Sequence, residues 1–264
     1  GKYGHKSIGS AIFCNSEKLE VLSSKRVHLK DFAPLDNCRS HEFHVDVHGK
    51  WNSMVMMYIR MKETNQTAVV ANTHLFWDPE REDIKTVQAY AVADALSRFS
   101  VGLGYNRTEL PPLILCGDFN GLPYRMQNEF DSGIHNTALF KLLGEGKLSD
   151  EHPEHPDRWH TSVPARPVCP RLGPLQIDWK LQNAHTMTDF DEYAPLFTTK
   201  TDEFQGWIDH IWVCNKVQVD MVMVPPIRKG DLTANTQSRE FGPIPNAEFP
   251  SDHIPIGIIA RVQN

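Results

Sequence analysis

Apolar and polar positions along this chain follow two rhythms. Short apolar runs, some unbroken and some half-polar, predict strands over residues 8–13, 20–29, 53–61, 67–73, 113–116, 207–214, 217–224 and 254–262. The polar break Lys62-Glu63-Thr64-Asn65-Gln66 predicts a hairpin between the third and fourth of these. Over residues 83–99 the rhythm changes. Ile84, Val87, Ala91 and Ala95 recur at helical spacing. Glu80, Glu82 and Asp83 suit the positive end of that helix's dipole. A shorter helix is predicted over 137–143, stopped near Gly144 and Gly146. Residues 30–50 read as a loop or irregular hairpin. Residues 144–206, rich in Pro, His and acid, read as an irregular surface region, and the five prolines of 225–250 mark another long loop. Strands mixed with few helices predict an α/β (α+β) layered sandwich.

Composition narrows this little. The 264 residues, 40% apolar and 23% charged, suit one globular domain. The formal net charge of −6 excludes a global basic field for nucleic acid. A polyanion must then be held by local charge or by metal ions in an acidic cleft. No apolar run approaches the ~18 residues of a membrane span. The five cysteines are dispersed and odd in number, without Cys-x-x-Cys spacing, which favours reduced thiols in an intracellular protein.

The candidate chemistry stands where apolar runs end. Asp118 and Asn120 follow Leu113-Ile114-Leu115-Cys116-Gly117. A carboxylate there can bind a hard cation or orient a water, and a neutral amide can donate to a phosphoryl oxygen without adding negative charge. Asp252-His253 precedes Ile254-Pro255-Ile256, pairing a carboxylate suited to Mg²⁺ with an imidazole that titrates near neutrality. Asp209 and His210 fall on opposite faces of one strand, so one of them faces a cleft. An Asp paired to His253 would fix its tautomer and raise its pKa. His74 ends the run that begins at Thr67. Each cluster alone also reads as a turn, a cap or a satisfied structural residue. Four of them at strand ends suit one metal-assisted phosphoester hydrolase site. His152, His155, His160 and Cys169 imitate a zinc site, but their spacing fits no standard finger and Pro156, Pro164 and Pro167 interrupt it. Met54, Met56 and Met57 read as core.

Asn72-Thr73-His74, Gly117-Asp118-Phe119-Asn120, Ile208-Asp209-His210 and Ser251-Asp252-His253, in that order, resemble the endonuclease/exonuclease/phosphatase superfamily. The stretches from Val70 to Pro79 and from Phe204 to Asp209, with Gly9-Ser10-Ala11-Ile12-Phe13, look more specifically like the carbon catabolite repressor-type poly(A) deadenylases. The resemblance implies a DNase I-like four-layer sandwich of two mixed sheets flanked by helices. It implies a Mg²⁺-dependent (or Mn²⁺-dependent) 3′–5′ exoribonuclease that removes poly(A) and releases AMP. Asp118 would orient water, Asn120 would stabilise the phosphoryl group, and Asp252 would join Asp118 at the metal. His253, held by Asp209, would contact phosphoryl oxygens, and His74 the scissile phosphate. Pro79 and Phe204, with Asn120 nearby, would hold a terminal adenine; an aromatic stack is worth about 1–3 kcal/mol.

The resemblance also implies an Asn and a metal-binding Glu upstream of the segment matching residues 9–13. Residues 1–264 are thus expected to be the C-terminal two-thirds of one such domain, with impaired activity. Implied partners are RNA with a 3′ poly(A) tail and a deadenylase-complex scaffold, with no membrane. The implied place of action is the cytoplasm or the nucleus, with the mitochondrion left open. The competing readings are a nocturnin-like nucleotide phosphatase and a catalytically dead RNA- or protein-binding pseudo-nuclease.

Overall fold

The structure, a computed structural model, describes residues 9–128, 131–159, 171–187, 194–195, 197–223, 242–247 and 249–263. Its centre is a six-stranded sheet. The order is β1 (Leu19–His28), β2 (Ser53–Met61), β3 (Thr67–His74), β4 (Leu113–Asp118), β5 (Asp209–Val213) and the short edge strand Gln182–Asn183. β1, β2 and β3 run antiparallel, as the hairpin signal predicts. β3 and β4 run parallel. Parallel neighbours need a crossover, and helix α2 (Glu82–Gly102) supplies it. β5 returns antiparallel to β4.

The apolar alternation explains the layers. Met54 and Met56 of β2, and Val69 and Ala71 of β3, are wholly buried in one core with Ala91, Ala95 and Leu96 of α2. Helix α3 (Ala138–Glu145) covers the sheet beyond β4 with Leu139, Leu142 and Leu143. It ends where Gly146 turns left-handed at φ 78°. A separate ladder of β6 (Val217–Val222) and β7 (Ile258–Val262) adds Val217 and Val219 to that core. The expected mixed α/β sandwich is thus observed.

Three local expectations fail for physical reasons. Residues 9–13 form no strand. They keep a period-two pattern of exposure, but Asn72 Nδ2 donates to Ala11 O at 2.9 Å, so the segment meets the face of β3 rather than a sheet edge. Phe13 is left 94% exposed. Within residues 30–50 stands a helix, α1 (His41–His48). Ser40 Oγ caps it by accepting from Phe43 N, and Phe43 and Val47, one turn apart, bury against Ile84 and Val87 of α2. The last strand starts at Ile258, not 254, because residues 251–254 are drawn away toward Thr198 and Thr199. Ile254 N donates to Thr198 O at 2.7 Å. Among the described residues no helix is long and apolar enough to cross a membrane.

Candidate active site

Three adjacent strands end in one row. His74 of β3 is the register partner of Asp118 of β4, and Asp118 is the partner of Asp209 of β5. Directly opposed residues share a sheet face, so sheet register alone brings an imidazole and two carboxylates together. His74 Nε2 lies 3.4 Å from Asp118 Oδ2. His253 reaches the row from the loop before β7. Its Nδ1 is 2.7 Å from Asp209 Oδ2, and its Nε2 is 3.9 Å from Asp118 Oδ2.

The backbone permits this convergence at two places. Gly117 has φ 153°, and a Cβ there would stand 2.0 Å from Thr73 O. Only glycine lets β3 and β4 approach so closely beside the row. Asn120 adopts φ 49°, a left-handed turn that Asn tolerates. Its N–H donates to Asp118 Oδ1 at 2.8 Å, and its Nδ2 donates to Leu75 O at 3.0 Å. One N–H of that amide is therefore committed to the fold, leaving the second for a ligand. Lys85, buried in α2, donates to Asn120 O at 2.8 Å and pairs with Glu82 at 2.6 Å.

Several supporting residues carried no motif. Thr198 Oγ1 accepts from both Ile208 N and Asp209 N at 3.1 Å. Thr199 Oγ1 donates to Asp252 O at 2.8 Å, which anchors the His253 turn. Asn52 Nδ2 donates to His74 O, and Gln88 Nε2 donates to Asn52 Oδ1, each at 2.9 Å. These lie in irregular segments, in the two-residue strand Thr199–Lys200 or on a helix, where spacing in sequence says nothing of the site. The register of Asp209 against Asp118 was equally invisible.

Electrostatics divide the labour. The Asp209 carboxylate, bonded to Nδ1, drives the His253 imidazole up to about 9 against the opposing effect of burial, and the charges of Asp118 and Asp252 add to it. His253 is thus an imidazolium at neutral pH. Burial, and then the charge of Asp209, raise the Asp118 carboxyl; His74, the Asn120 N–H and His253 pull it back down. Among the described residues, donor atoms of Asp118, Asp209 and His253 lie within 4.8 Å of one another. Asp252 is exposed and lies outside that trio.

The remaining candidates are placed as follows. Phe204 is 41% exposed, and its Cζ would meet a Cβ on Gly206 at 2.5 Å. Leu122 Cδ2 would stand 3.1 Å from that same Cβ, so the ring sits over Gly206 near the chain leaving Asn120. Pro79 is exposed in the turn before α2. His210, on the other face of β5, is fully buried with its Nε2 2.8 Å from Gly121 O. Asp209, not His210, faces the row. His152 Nδ1 and His155 Nδ1 each accept a backbone N–H two residues on, from Glu154 and Asp157. That is turn chemistry, and His160 and Cys169 lie outside the described residues. Cys14, Cys38, Cys116 and Cys214 are free thiols, and burial pushes Cys116 up to about 11.

No protein-family model matches the chain. It is 28% identical over 270 residues to the "CCR4-Not complex 3'-5'-exoribonuclease subunit Ccr4" of Mycosarcoma maydis, covering 93% of this chain and 35% of that protein. The Schizosaccharomyces pombe subunit of the same name is 24% identical over 223 residues, 78% of this chain and 28% of that one. The chain spans about a third of the length of the curated relatives it matches. Among solved structures, ANGEL2, a 2′,3′-cyclic phosphatase in complex with adenosine-2′,3′-vanadate, superposes with a TM-score of 0.59 at 21% identity, over 94% of this chain and 69% of that one. The human nocturnin catalytic domain with bound sulfate gives 0.53 at 16% identity, over 94% and 62%. These two share the fold. Fold and motif order together are similar to those of the endonuclease/exonuclease/phosphatase superfamily, and the architecture is DNase I-like. Within it, its sequence likeness lies with the Ccr4 deadenylase branch.

Proposed function

We propose that this chain provides the hydrolytic site of a metal-dependent 3′–5′ exoribonuclease that removes terminal adenosines from poly(A) tails and releases AMP. The observation that carries this reading is the row His74, Asp118, Asp209, His253, with His253 held as a cation by Asp209. A protonated imidazole has no lone pair for a metal, but it suits a phosphoryl oxygen. Asp118 orients the attacking water, and the free N–H of Asn120 donates to the phosphoryl group as charge builds. His74 meets the scissile phosphate. A terminal adenine stacks between Pro79 and Phe204.

The donor set suits a hard divalent cation. Asp118 is a buried carboxylate beside a second one; burial first, and then the charge of Asp209, raise its pKa, and a bound cation would oppose both. Asp118, joined by Asp252, would hold Mg²⁺ or Mn²⁺, which would neutralise charge on the non-bridging and leaving oxygens. The relatives' place in the CCR4-Not complex supports a scaffold partner and a cytoplasmic or nuclear place of action.

The test is an assay of the chain, and of a version extended upstream in its reading frame, on A-tailed RNA with Mg²⁺. Stepwise shortening with AMP release is expected, weak or undetectable from the chain alone, and Asp118→Ala should lower turnover of the extended version by at least ~10³-fold with an unchanged melting curve. Retained turnover in that variant removes Asp118 from the mechanism. Faster turnover of a phosphorylated dinucleotide than of oligo(A) replaces the proposal with a nucleotide phosphatase. Binding of RNA without cleavage replaces it with a pseudo-nuclease.

A further inference from the structure

Two tryptophans stand almost free of the fold: Trp51 is 69% exposed and Trp77 68%. Singly scattered apolar residues on a surface are ordinary. These two are held by one clamp. Gln88 of α2 is buried, its Oε1 accepts from Phe76 N at 2.7 Å, and its Nε2 donates to Asn52 Oδ1 at 2.9 Å. Trp51 precedes Asn52, and Trp77 follows Phe76. The same Asn52 donates to His74 O, so the clamp also fixes a member of the row. The sheet continues the line. Ser53, the first residue of β2, is the register partner of His28, the last of β1. With strands about 4.8 Å apart, the row Asp209, Asp118, His74 runs on across the same sheet end toward Trp51 and His28.

Ammonium groups are interleaved with these rings. Lys30 Nζ lies 3.4 Å from the Trp51 ring centroid. Lys50 Nζ lies 4.2 Å from that of Phe76, which neighbours Trp77 with ring centroids 6.0 Å apart. Lys50 is balanced by Asp46 at 2.8 Å. Lys30 pairs with no carboxylate among the described residues, though exposed Asp31 follows it in the chain. The His28 ring meets Trp51 T-shaped at 5.6 Å. Were both faces of the indole covered, 69% of the residue could not remain exposed, so a face is open for stacking. In a chain of net charge −6, an open indole face with an unpaired ammonium beside the row suits a base together with its phosphate. A protein partner would favour a continuous apolar patch instead.

We infer that Trp51, with Lys30, holds a nucleotide of single-stranded RNA on the 5′ side of the scissile phosphate, so that the chain grips a polynucleotide and not only its last residue. The direction rests on the exoribonuclease reading, in which the 3′ base lies between Pro79 and Phe204. Calorimetry of the chain, in EDTA and again with Mg²⁺, compares oligo(A) of about six nucleotides with AMP. Oligo(A) should bind more tightly. Trp51→Ala should weaken oligo(A) about tenfold while leaving the melting curve and AMP affinity unchanged, and Trp51→Phe should restore most of the loss. Lys30→Gln should lower the salt slope of oligo(A) binding by about 0.7. Equal oligo(A) affinity in wild type and Trp51→Ala overturns the inference and leaves the exposed rings to a protein partner. So does oligo(A) that binds no tighter than AMP, or that fails to bind at millimolar concentration. The hydrolase reading fails separately: oligo(A) held through Trp51 yet never cleaved, even by the upstream-extended version with Mg²⁺, removes the hydrolysis and leaves the RNA contact standing.

Discussion

Two histidines on the two sides of one strand behave as opposites. His253 stands over the front of β5, bonded to Asp209, and its pKa is driven up to about 9. His210 is the next residue along from Asp209, yet burial drives it down to about 4. It is packed against Phe119, Phe140, Trp207 and Trp212. Strand alternation alone sends consecutive side chains into a polar row and a dry aromatic cage. The front keeps charge where a phosphodiester is expected. The back excludes water and keeps the strand rigid beneath it. Neutral His210 contributes by its bond to Gly121 O, which fixes the chain just after Asn120.

The sharpest way to break the comparison is to remove the strand contact on which the row depends. Gly117→Ala puts a methyl 2.0 Å from Thr73 O, a backbone atom that cannot step aside. The variant should lose roughly 4 kcal/mol or fail to fold, read by urea denaturation. Near wild-type stability would mean that β3 and β4 can separate without cost, and that the row is not pinned by their approach.

The next effect tests the back of the strand. His210 has a folded pKa of about 4 against an ordinary 6.5. Its contribution is therefore complete above about pH 6.5 and is lost as pH falls from there toward 4, where folding must forgo a proton that the unfolded chain binds. The loss should reach about 3 kcal/mol. His210→Phe should flatten that part of the curve while costing some stability at pH 7.5, because Gly121 O loses its donor. His185, likewise pushed to about 4 by burial, keeps a residual slope in the variant. An unchanged acid slope would show that the cage admits the proton.

These two sites also show what the sequence could disclose. Apolar runs bounded by Asp118, His74 and Asp209 were legible because a strand that must bury both faces shows an unbroken apolar stretch, and a polar tip stands out against it. The register that opposes His74, Asp118 and Asp209 was not, since pairing is set by β3, β4 and β5 together. Helix α1 was hidden because its apolar stripe is only Phe43 and Val47 among histidines and acids. The run at 9–13 misled for the opposite reason: alternate residues are half-buried without pairing in a ladder, and period two does not say whether a ladder exists. Thr198, Asn52 and Gln88 act through single hydrogen bonds to backbone or to one another, and such roles leave no pattern.

The front of the strand is tested by the partner of His253. Asp209→Asn removes the carboxylate that is the largest cause of the raised imidazole pKa. The midpoint of His253, followed by NMR, should fall from about 9 toward the ordinary imidazole range. The sign for activity follows: losing the proton near neutrality would turn a pH-independent plateau into a decline as pH rises through 7. A midpoint still near 9 would assign the effect to Asp118 and Asp252 instead.

The smallest effect belongs to Gly206, inside the stretch from Phe204 to Asp209. A methyl there would meet Phe204 Cζ at 2.5 Å and Leu122 Cδ2 at 3.1 Å, both ends of side chains that can rotate. Gly206→Ala should therefore fold normally, with stability changed by no more than about 1 kcal/mol. The displaced ring should lose part of its stack on the terminal base, lowering the preference for oligo(A) over oligo(U) by about tenfold or less. The change should fall mainly on KM, because stacking binds ground state and transition state alike. Phe204→Ala should lose more of the same preference, and the ordering of the two variants is the decisive reading. If Gly206→Ala instead lowers kcat while the base preference holds, the ring positions the chain after Asn120 rather than a nucleobase. Phe204 would then belong to the support of the row and not to substrate recognition.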